Sequence, residues 1–290
     1  MNYRHCVVVA AALAIVAGSS RASAQCRASG PVAKVSELSE ASGIASSRRN
    51  SGTTWALNDS GEPVVYALNE RGVVTGRVRL TGAKVEDWEA VAVGPCANGS
   101  CLYVGDIGDN NASRKQITVY RVSEPAASGE STAQAEAVHA TYPDGPQDAE
   151  ALLAAPDGRL LVVTKGETGA VALYRFPREL KSGASVQLER VGKPRESRSA
   201  KRDDRITDGA MSPQGDWVVL RTSASLSFYK TSELMAGNWQ AAQEVSLADL
   251  REPQGEGVTF ASDGTIVVAG EGGGKSSAGT LARLSCPSLR

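Results

Sequence analysis

Three features of this sequence predict an all-β fold. A polar residue, a small residue and an apolar run occur together five times, starting at Ser42, Glu89, Glu150, Asp208 and Glu256. These starts are 47–61 residues apart, and each is followed by short runs rich in β-branched and aromatic residues between Gly, Pro, Asn and Asp. Repeats of this length with four strands each are typical of β-propellers. The sequence therefore predicts a single five-bladed β-propeller with four-stranded blades.

The first 24 residues predict a signal peptide. Arg4 precedes an apolar stretch over residues 7–17, and Ala22-Ser23-Ala24 supplies the small residues of a cleavage site. This stretch is shorter than the roughly 20 residues that a membrane-spanning helix needs, and no later stretch is that long. We therefore expect an exported protein, periplasmic or extracellular, with no membrane span and with residues 25–290 as its folded domain.

The charge of the chain bears on its partners. It has 31 Lys and Arg against 32 Asp and Glu, and the predicted signal peptide contains two of the arginines and none of the acids. Proteins that bind nucleic acids usually carry a strongly basic surface. We therefore expect no nucleic-acid partner, and we expect a monomer.

Four cysteines remain after the signal peptide. Four cysteines allow three disulfide pairings, and an exported protein meets an oxidising environment. Cys96 and Cys101 flank a predicted hairpin turn, which favours a local disulfide. Cys26 and Cys286 lie near the two chain ends, which a closed propeller must bring together. A zinc site is the alternative, but there is no second close cysteine pair and no nearby histidine.

The strands follow from the first repeat. Its four strands are predicted at about 42–48, 53–58, 63–68 and 73–80, and the next three repeats have the same pattern. The polar stretches 126–133 and 193–205 are predicted as surface loops. The fifth repeat ends before a fourth strand, so we expect residues 32–38 to complete the last blade. Closure of this kind covers two open sheet edges.

The topology predicts where functional side chains meet. In a propeller the first strand of each blade starts at one mouth of the central channel, and the second strand returns to that mouth. The five motif starts should therefore lie beside the ends of the second strands, which carry Asp59, Asp106, Lys165, Arg221 and Glu271. The sequence predicts a pore mouth rich in carboxylates.

Carboxylates that face one narrow channel need protons or a cation. Like charges a few ångströms apart raise each other's pKa. Asp and Glu oxygens suit Ca²⁺ better than zinc or copper. We therefore predict a divalent cation, Ca²⁺, with the ligands Glu89, Glu150, Asp208, Glu256, Asp59 and Asp106. The alternative is that these acids cap strands and bind backbone amides between blades.

The sequence argues against a catalytic or metal site built on histidines. After the predicted signal peptide only His139 remains, in a predicted outer strand, so a Ser-His-Asp triad or a multi-histidine metal site is not expected at the mouth. Proton transfer then falls to carboxylates, a lysine, an arginine or a metal-bound water. We predict Glu89 and Glu150 as catalytic groups, with Arg221 and Lys165 orienting a small anionic or sugar-like substrate.

Several segments resemble known propellers. Asn58-Asp59-Ser60-Gly61, Asp87-Trp88-Glu89-Ala90 and residues 105–110 resemble recurring segments of secreted bacterial β-propellers. Residues 254–258 and 207–209 resemble, more distantly, the metal-bearing strands of calcium-dependent lactonase-type and phytase-like propellers.

This second resemblance implies a chemistry. In those propellers a central Ca²⁺ held by Glu, Asp and Asn polarises an ester, lactone or phosphate, so Glu256 and Asp208 would be ligands here. Those families are six-bladed, and six blades is therefore the alternative to five.

Three functions follow from the predicted site. The first is a metal-dependent hydrolase of an ester, lactone or phosphoester. The second is a paired-carboxylate glycoside hydrolase, which needs two acids about 5–9.5 Å apart beside an open groove. The third is a non-catalytic secreted binding or envelope scaffold protein, in which the acids only stabilise the fold.

Overall fold

The protein is described by a computed structural model, which covers residues 26–97, 99–167, 169–196, 202–274 and 277–287. The described strands form five sheets of four or five strands each, arranged as the five blades of a β-propeller. The predicted fold class is confirmed, with five blades rather than six. The predicted signal peptide, residues 1–24, lies outside the described residues.

The chain begins with two short strands and then forms the first blade. The two short strands are β1 (Arg27–Ala28) and β2 (Ala33–Val35). The first blade runs from the channel outward as β3 (Ala41–Ser46), β4 (Thr54–Asn58), β5 (Val64–Leu68) and β6 (Val74–Thr81). Each of these four strands is antiparallel to its neighbour.

The second blade repeats this order. Its strands are β7 (Trp88–Cys96), β8 (Gly99–Asp106), β9 (Ile117–Ser123) and β11 (Glu136–Thr141). Between β9 and β11 the chain forms one more strand, β10 (Gly129–Gln134). β10 does not join this blade but lies parallel to β6 as an extra outer strand of the first. The predicted surface loop over 126–133 is therefore partly a strand. Its side chains are mostly exposed, so the polar sequence carried no strand signal.

The third blade has the same extra-strand arrangement. Its region contains β12 (Ala149–Ala154), β13 (Leu160–Thr164), β14 (Val171–Arg175), β15 (Ser185–Gln187) and β16 (Glu189–Arg195). β15 lies parallel to β11 and extends the second blade. The extra strands β10 and β15 cover outer edges that would otherwise expose unpaired backbone groups.

The fourth blade contains the one α-helix of the described residues. The elements are β17 (Ile206–Met211), β18 (Trp217–Thr222), β19 (Ser225–Lys230), α1 (Thr231–Met235) and β20 (Gln243–Ser246). α1 packs Leu234 against the blade. No helix of the described residues has the length and apolarity that crossing a membrane requires.

The fifth blade is closed by the chain's beginning. It consists of β21 (Gln254–Phe260), β22 (Ile266–Glu271) and β23 (Gly279–Ser285). β1 and β2 both pair with β23 in antiparallel register and complete the sheet, as the sequence predicted. The disulfide Cys26–Cys286 lies beside this joint, with a Cα–Cα distance of 4.2 Å. The second predicted disulfide, Cys96–Cys101, joins β7 to β8.

Apolar side chains fill the gaps between the blades. Trp55 and Trp88 are fully buried between the first and second blades, and Tyr142 and Tyr174 stack edge to face between the second and third. Full burial of a large apolar side chain contributes roughly 1.5–3 kcal/mol. This packing holds the five innermost strands side by side around the axis.

Candidate functional site

A β-bulge interrupts the innermost strand of every blade near its start. The register between first and second strands slips by one residue there in all five sheets. A bulge re-aims the side chain of the extra residue. These extra residues all line one cavity at the channel mouth: Ser42, Glu89, Glu150, Thr207 and Glu256.

The second strands supply the rest of this cavity. Its volume is about 490 Å³, and each second strand contributes a residue at or just beyond its end: Asp59, Asn110, Lys165, Ser223 and Glu271. The remaining lining residues are Asp87, Glu167, Arg205 and Gln254. We call this space the acidic cavity. Among the described residues that line it, seven are acidic, and Lys165 and Arg205 are the two basic ones.

Lys165 is the central cation of the acidic cavity. Its Nζ lies 2.5 Å from Glu150 Oε1 and 3.5 Å from Asp148 Oδ2, and it donates a hydrogen bond to Asn110 Oδ1 at 3.2 Å. Burial opposes the charged form, but attraction to Glu150 and Asp148 outweighs burial and raises the pKa of Lys165. Arg205 is paired with Glu167 at 2.8 Å. Both cations of the cavity therefore have acidic partners.

Glu89 lies on the buried wall and is only 8% exposed. Burial, together with the nearby Glu150 and Asp87, raises its pKa well above the ordinary value. Ser42 Oγ is 2.7 Å from the Glu89 backbone oxygen and 2.8 Å from Glu89 Oε2. A hydroxyl has one hydrogen to donate, so a protonated Glu89 that donates to Ser42 satisfies both contacts.

The pKa values of Glu150 and Glu256 are raised for the same reason. Burial is the main cause in each case, and it raises the pKa of Glu150 to about 7 against the pull of Lys165. Burial and repulsion from Glu150 raise the pKa of Glu256 to about 8. Gln254 Nε2 donates a hydrogen bond to Glu256 Oε1 at 2.5 Å. Without a bound cation, the cavity therefore holds protons at neutral pH.

Gly108 allows the backbone of the β8–β9 loop to approach the carboxylates. A Cβ at this position would lie 2.4 Å from Asp87 Oδ2 and 2.8 Å from Glu89 Oε1. Any residue larger than glycine would therefore have to displace these acids. Residues 105–110, which resemble a segment of secreted propellers, therefore pack against the acids of the cavity, and Asn110 lines it.

Asp208 lies below the acidic cavity instead of lining it, contrary to the prediction. The bulge of β17 places Thr207 in the ring, so Asp208 is one position deeper and fully buried. Its Oδ1 accepts from Gly209 N at 2.7 Å, and its Oδ2 accepts from Val258 N at 2.8 Å and Ile44 N at 3.4 Å. Burial raises its pKa, and these backbone donors oppose the rise. Asp208 links three blades, which does not fit the predicted ligand role.

Arg221 and Asp106 also lie outside the acidic cavity. Arg221 is fully buried and donates from Nη1 to Gly257 O at 2.7 Å and Ala269 O at 2.9 Å, with Glu252 as its ion-pair partner. Asp106 pairs with Arg114 at 2.8 Å and accepts from the backbone amides of Glu86 and Asp87, in the loop before β7. Neither side chain lines the acidic cavity. The structure places both in contacts within the fold, so their predicted catalytic and ligand roles have no support from their positions.

The acidic cavity suits a hard cation by its donor chemistry. Glu89, Glu150 and Glu256 offer carboxylates, and Ser42 and Thr207 offer hydroxyls, which are the oxygen donors that Ca²⁺ prefers. Among the described residues, no group of three or more His, Cys, Asp or Glu is already drawn together as a metal site. Binding would therefore require these acids to move closer and the Lys165–Glu150 ion pair to open.

The architecture defines the protein as a five-bladed β-propeller with an acidic axial cavity. No protein-family model matches the chain, and no curated protein matches it in sequence. Among solved structures, the PQQ-bound aldose sugar dehydrogenase from Streptomyces coelicolor is similar over 90% of this chain and 98% of that chain. The TM-score is 0.55 and the sequence identity 11%, which supports the fold alone.

Two further solved structures are similar at lower scores. A gluconolactonase from Xanthomonas campestris is 12% identical, covers 88% of this chain and 89% of its own, and has a TM-score of 0.47. A catalytically inactive virginiamycin B lyase from Staphylococcus aureus, with quinupristin, is 12% identical, covers 84% of this chain and 66% of its own, and has a TM-score of 0.40.

Proposed function

We propose that the acidic cavity binds a divalent cation, Ca²⁺, and that the protein is a Ca²⁺-dependent hydrolase of a small uncharged ester or lactone. The observation that carries this proposal is the convergence of Glu89, Glu150 and Glu256, from three different blades, on one enclosed mouth. Burying several carboxylates together is costly unless a cation or protons compensate for it.

The charge of the cavity favours an uncharged substrate. Among the described residues that line it, seven are acidic, and the two basic ones, Lys165 and Arg205, are paired with Glu150 and Glu167. Ionised carboxylates of this lining would repel a phosphoester, whereas a sugar-like lactone offers them hydroxyls. The predicted anionic partner is therefore less favourable than the sugar-like one. Export and a monomeric state remain predictions.

The side chains of the cavity can position and move a proton. When bound, Ca²⁺ would supply a Lewis acid that polarises a carbonyl oxygen. In the cation-free cavity the pKa of Glu150 is about 7, so this group exists in both protonation states near neutral pH, which suits a general acid–base catalyst. Lys165 contacts Glu150 in the cation-free cavity and orients that carboxyl, while its raised pKa keeps the ammonium group charged.

Calorimetric titration with CaCl₂ tests the cation. We expect saturable binding that releases protons, so the apparent enthalpy should depend on the buffer, and Glu256→Gln should weaken binding at least tenfold. A hundredfold excess over Kd should add about 2.7 kcal/mol to the free energy of unfolding. Glu244→Gln, an exposed acid on β20, is the matched control. Equal binding by both variants would contradict the site.

A substrate panel tests the reaction. Aldonolactones, aryl esters, aryl phosphates and aryl glycosides should be offered to the protein with Ca²⁺ and with a chelator. We expect turnover of a lactone or ester that is lost on chelation and in Glu256→Gln. Activity that survives both changes removes the mechanism, and turnover of a glycoside alone would favour the glycoside hydrolase alternative.

A scaffold role is the second candidate, because many charges of this region are committed to the fold. Asp208 and Arg221 link blades, and Asp109 accepts two backbone amides, from Ser113 and Arg114. In a scaffold, Lys165 alone would balance the buried acids. A melting temperature that is the same with Ca²⁺ and with chelator would support this role.

A further inference from the structure

A second cavity lies on the same axis at the opposite end of the channel. Its volume is about 360 Å³, within the range of small-molecule sites. It is lined by the later residues of the same five innermost strands, including Ile44, Val91, Leu152, Ala210 and Phe260. These walls are largely apolar, in contrast to the acidic cavity.

A layer formed by four small residues and one aspartate separates the two cavities. The residues that follow the five bulges are Gly43, Ala90, Ala151, Asp208 and Gly257. The strands approach closely there: a Cβ on Gly43 would lie 2.7 Å from Ala90 Cα. Asp208 spans this layer through its hydrogen bonds to Val258 N and Ile44 N. A ligand in the second cavity therefore does not reach the acidic cavity.

The charged lining of the second cavity is entirely basic. Arg48 and Arg49, in the loop that follows β3, are its charged lining residues, and none of the described lining residues is acidic. Arg49 Nη1 donates to the Glu124 backbone oxygen at 2.9 Å, which fixes this arginine. Arg48 is exposed, and its guanidinium has no hydrogen-bond or ion-pair partner among the described residues.

Glu124, the acid that contacts the loop carrying these arginines, does not line the cavity. The Glu124 carboxylate is buried and accepts from Ser47 Oγ and from Trp55 Nε1 at 3.1 Å. Hydroxyls of Ser46, Ser212 and Thr259 add neutral polar groups to the lining. The chemistry is that of a pocket for an apolar body with an anionic head.

We propose that this second cavity binds a small carboxylate amphiphile, with its apolar chain against Ile44, Leu152 and Phe260 and its carboxylate at Arg48 and Arg49. Guanidinium groups match carboxylates in shape and charge, and they can bind a carboxylate with two parallel hydrogen bonds. The acidic cavity and the basic rim of the second cavity should therefore bind different classes of ligand. This inference does not depend on the function proposed for the acidic cavity.

Titration of the whole protein with decanoate tests the proposal. We expect saturable binding with a stoichiometry of one, and at least tenfold weaker binding of decyltrimethylammonium, which has a similar chain and a cationic head. The double variant Arg48→Gln/Arg49→Gln should weaken decanoate binding at least tenfold. Arg71→Gln, an exposed arginine of the first blade outside the cavity, is the matched control and should bind decanoate normally.

A cavity-filling variant completes the test. Ala210→Leu should reduce decanoate binding at least tenfold, while cooperative thermal unfolding, followed by circular dichroism, checks that the propeller is folded. If Ala210→Leu fails to fold, the variant Arg48→Gln/Arg49→Gln tests the proposal by itself. Both arginines are exposed, so their replacement should leave the fold intact. Absence of saturable decanoate binding, equal affinity for both head groups, or unchanged binding by the arginine variant would each overturn the proposal.

Discussion

At the scale of single residues, one ammonium group compensates for the most acidic part of the molecule. Lys165 Nζ lies between Glu150, Asp148 and Asn110, and its side chain is 16% exposed. Charges this well enclosed are screened little by solvent, so the ion pair matters more than a surface one. Lys165 therefore holds down the pKa of Glu150 against the effect of burial.

Replacing Lys165 should destabilise the protein in a pH-dependent way. Removing one partner of a buried ion pair costs about 3–5 kcal/mol. For Lys165→Met we expect a loss of this size in the free energy of unfolding at pH 8, and a smaller loss at pH 5, where the neighbouring carboxyls take up protons. Urea denaturation at both pH values measures it. Lys181→Met, at an exposed position, should change little, and equal losses in the two variants would contradict the prediction.

The raised carboxyl pKa values make stability fall as pH rises. The pKa values of Glu150 and Glu256 are about 7 and about 8 in the folded state, against 4.5 for an ordinary Glu. Between pH 4.5 and 8 the folded protein therefore binds more protons than the unfolded chain. Stability then decreases with pH over this window.

This dependence can be measured by denaturation in the presence of a chelator. From pH 5 to pH 8 we expect the free energy of unfolding to fall by a few kcal/mol, since each pKa unit corresponds to about 1.4 kcal/mol. Glu256→Gln should flatten the slope and be more stable than the native protein at pH 8. A slope that is unchanged in this variant would show that Glu256 titrates normally.

At the scale of elements, the β-bulge of each innermost strand decides which residue faces the axis. A one-residue shift in a strand exchanges its two faces. In β17 this shift places Thr207 at the acidic cavity and buries Asp208 below it. The sequence prediction missed Thr207 because the acid–small–apolar pattern of this blade starts one residue later, at Asp208. Thr207 could have been found by aligning β17 with the end of its partner strand, β18.

Removing the Asp208 carboxylate should loosen the junction of three blades. It accepts from Val258 N and Ile44 N, on the fifth and first blades, and its loss leaves buried amides without partners. An unsatisfied buried donor costs about 1–3 kcal/mol. Asp208→Ala should therefore lose roughly 2–5 kcal/mol of stability, measured by calorimetry. Asp249→Ala, at an exposed position, is the control and should lose little; matching losses would refute the linking role.

At the scale of the whole molecule, closure of the ring depends on the two chain ends. β1 and β2 complete the last blade, and Cys26–Cys286 connects residues 260 positions apart. A crosslink that closes a long loop restricts the unfolded chain more than one that closes a short loop. The disulfides are consistent with export into an oxidising compartment, which itself remains a prediction.

The two disulfides should therefore differ in their contribution. We expect Cys26→Ser/Cys286→Ser to lower the free energy of unfolding by about 2–5 kcal/mol, and Cys96→Ser/Cys101→Ser, which opens a loop of sequence separation 5, by about 1–2 kcal/mol. Guanidinium denaturation of both double variants measures the difference. A larger loss in the second variant would contradict the role assigned to ring closure.

The sequence by itself determined the five-bladed fold, the completion of the last blade by the N-terminal strand and both disulfides. These features follow from local signals, namely strand periodicity, turn residues and the positions of the cysteines. It also predicted that Glu89, Glu150, Glu256, Asp59 and Lys165 would meet at one mouth, because strand direction alone fixes that end.

Only the tertiary structure decided which charged residues serve the fold. Asp208, Arg221 and Asp106 have the residue types of a site but are held by partners from other blades or loops. The second cavity likewise arises from late residues of five strands that carry no common motif. Bulges, inter-blade hydrogen bonds and cavities depend on how separate sheets pack, and no local pattern in one strand encodes that packing.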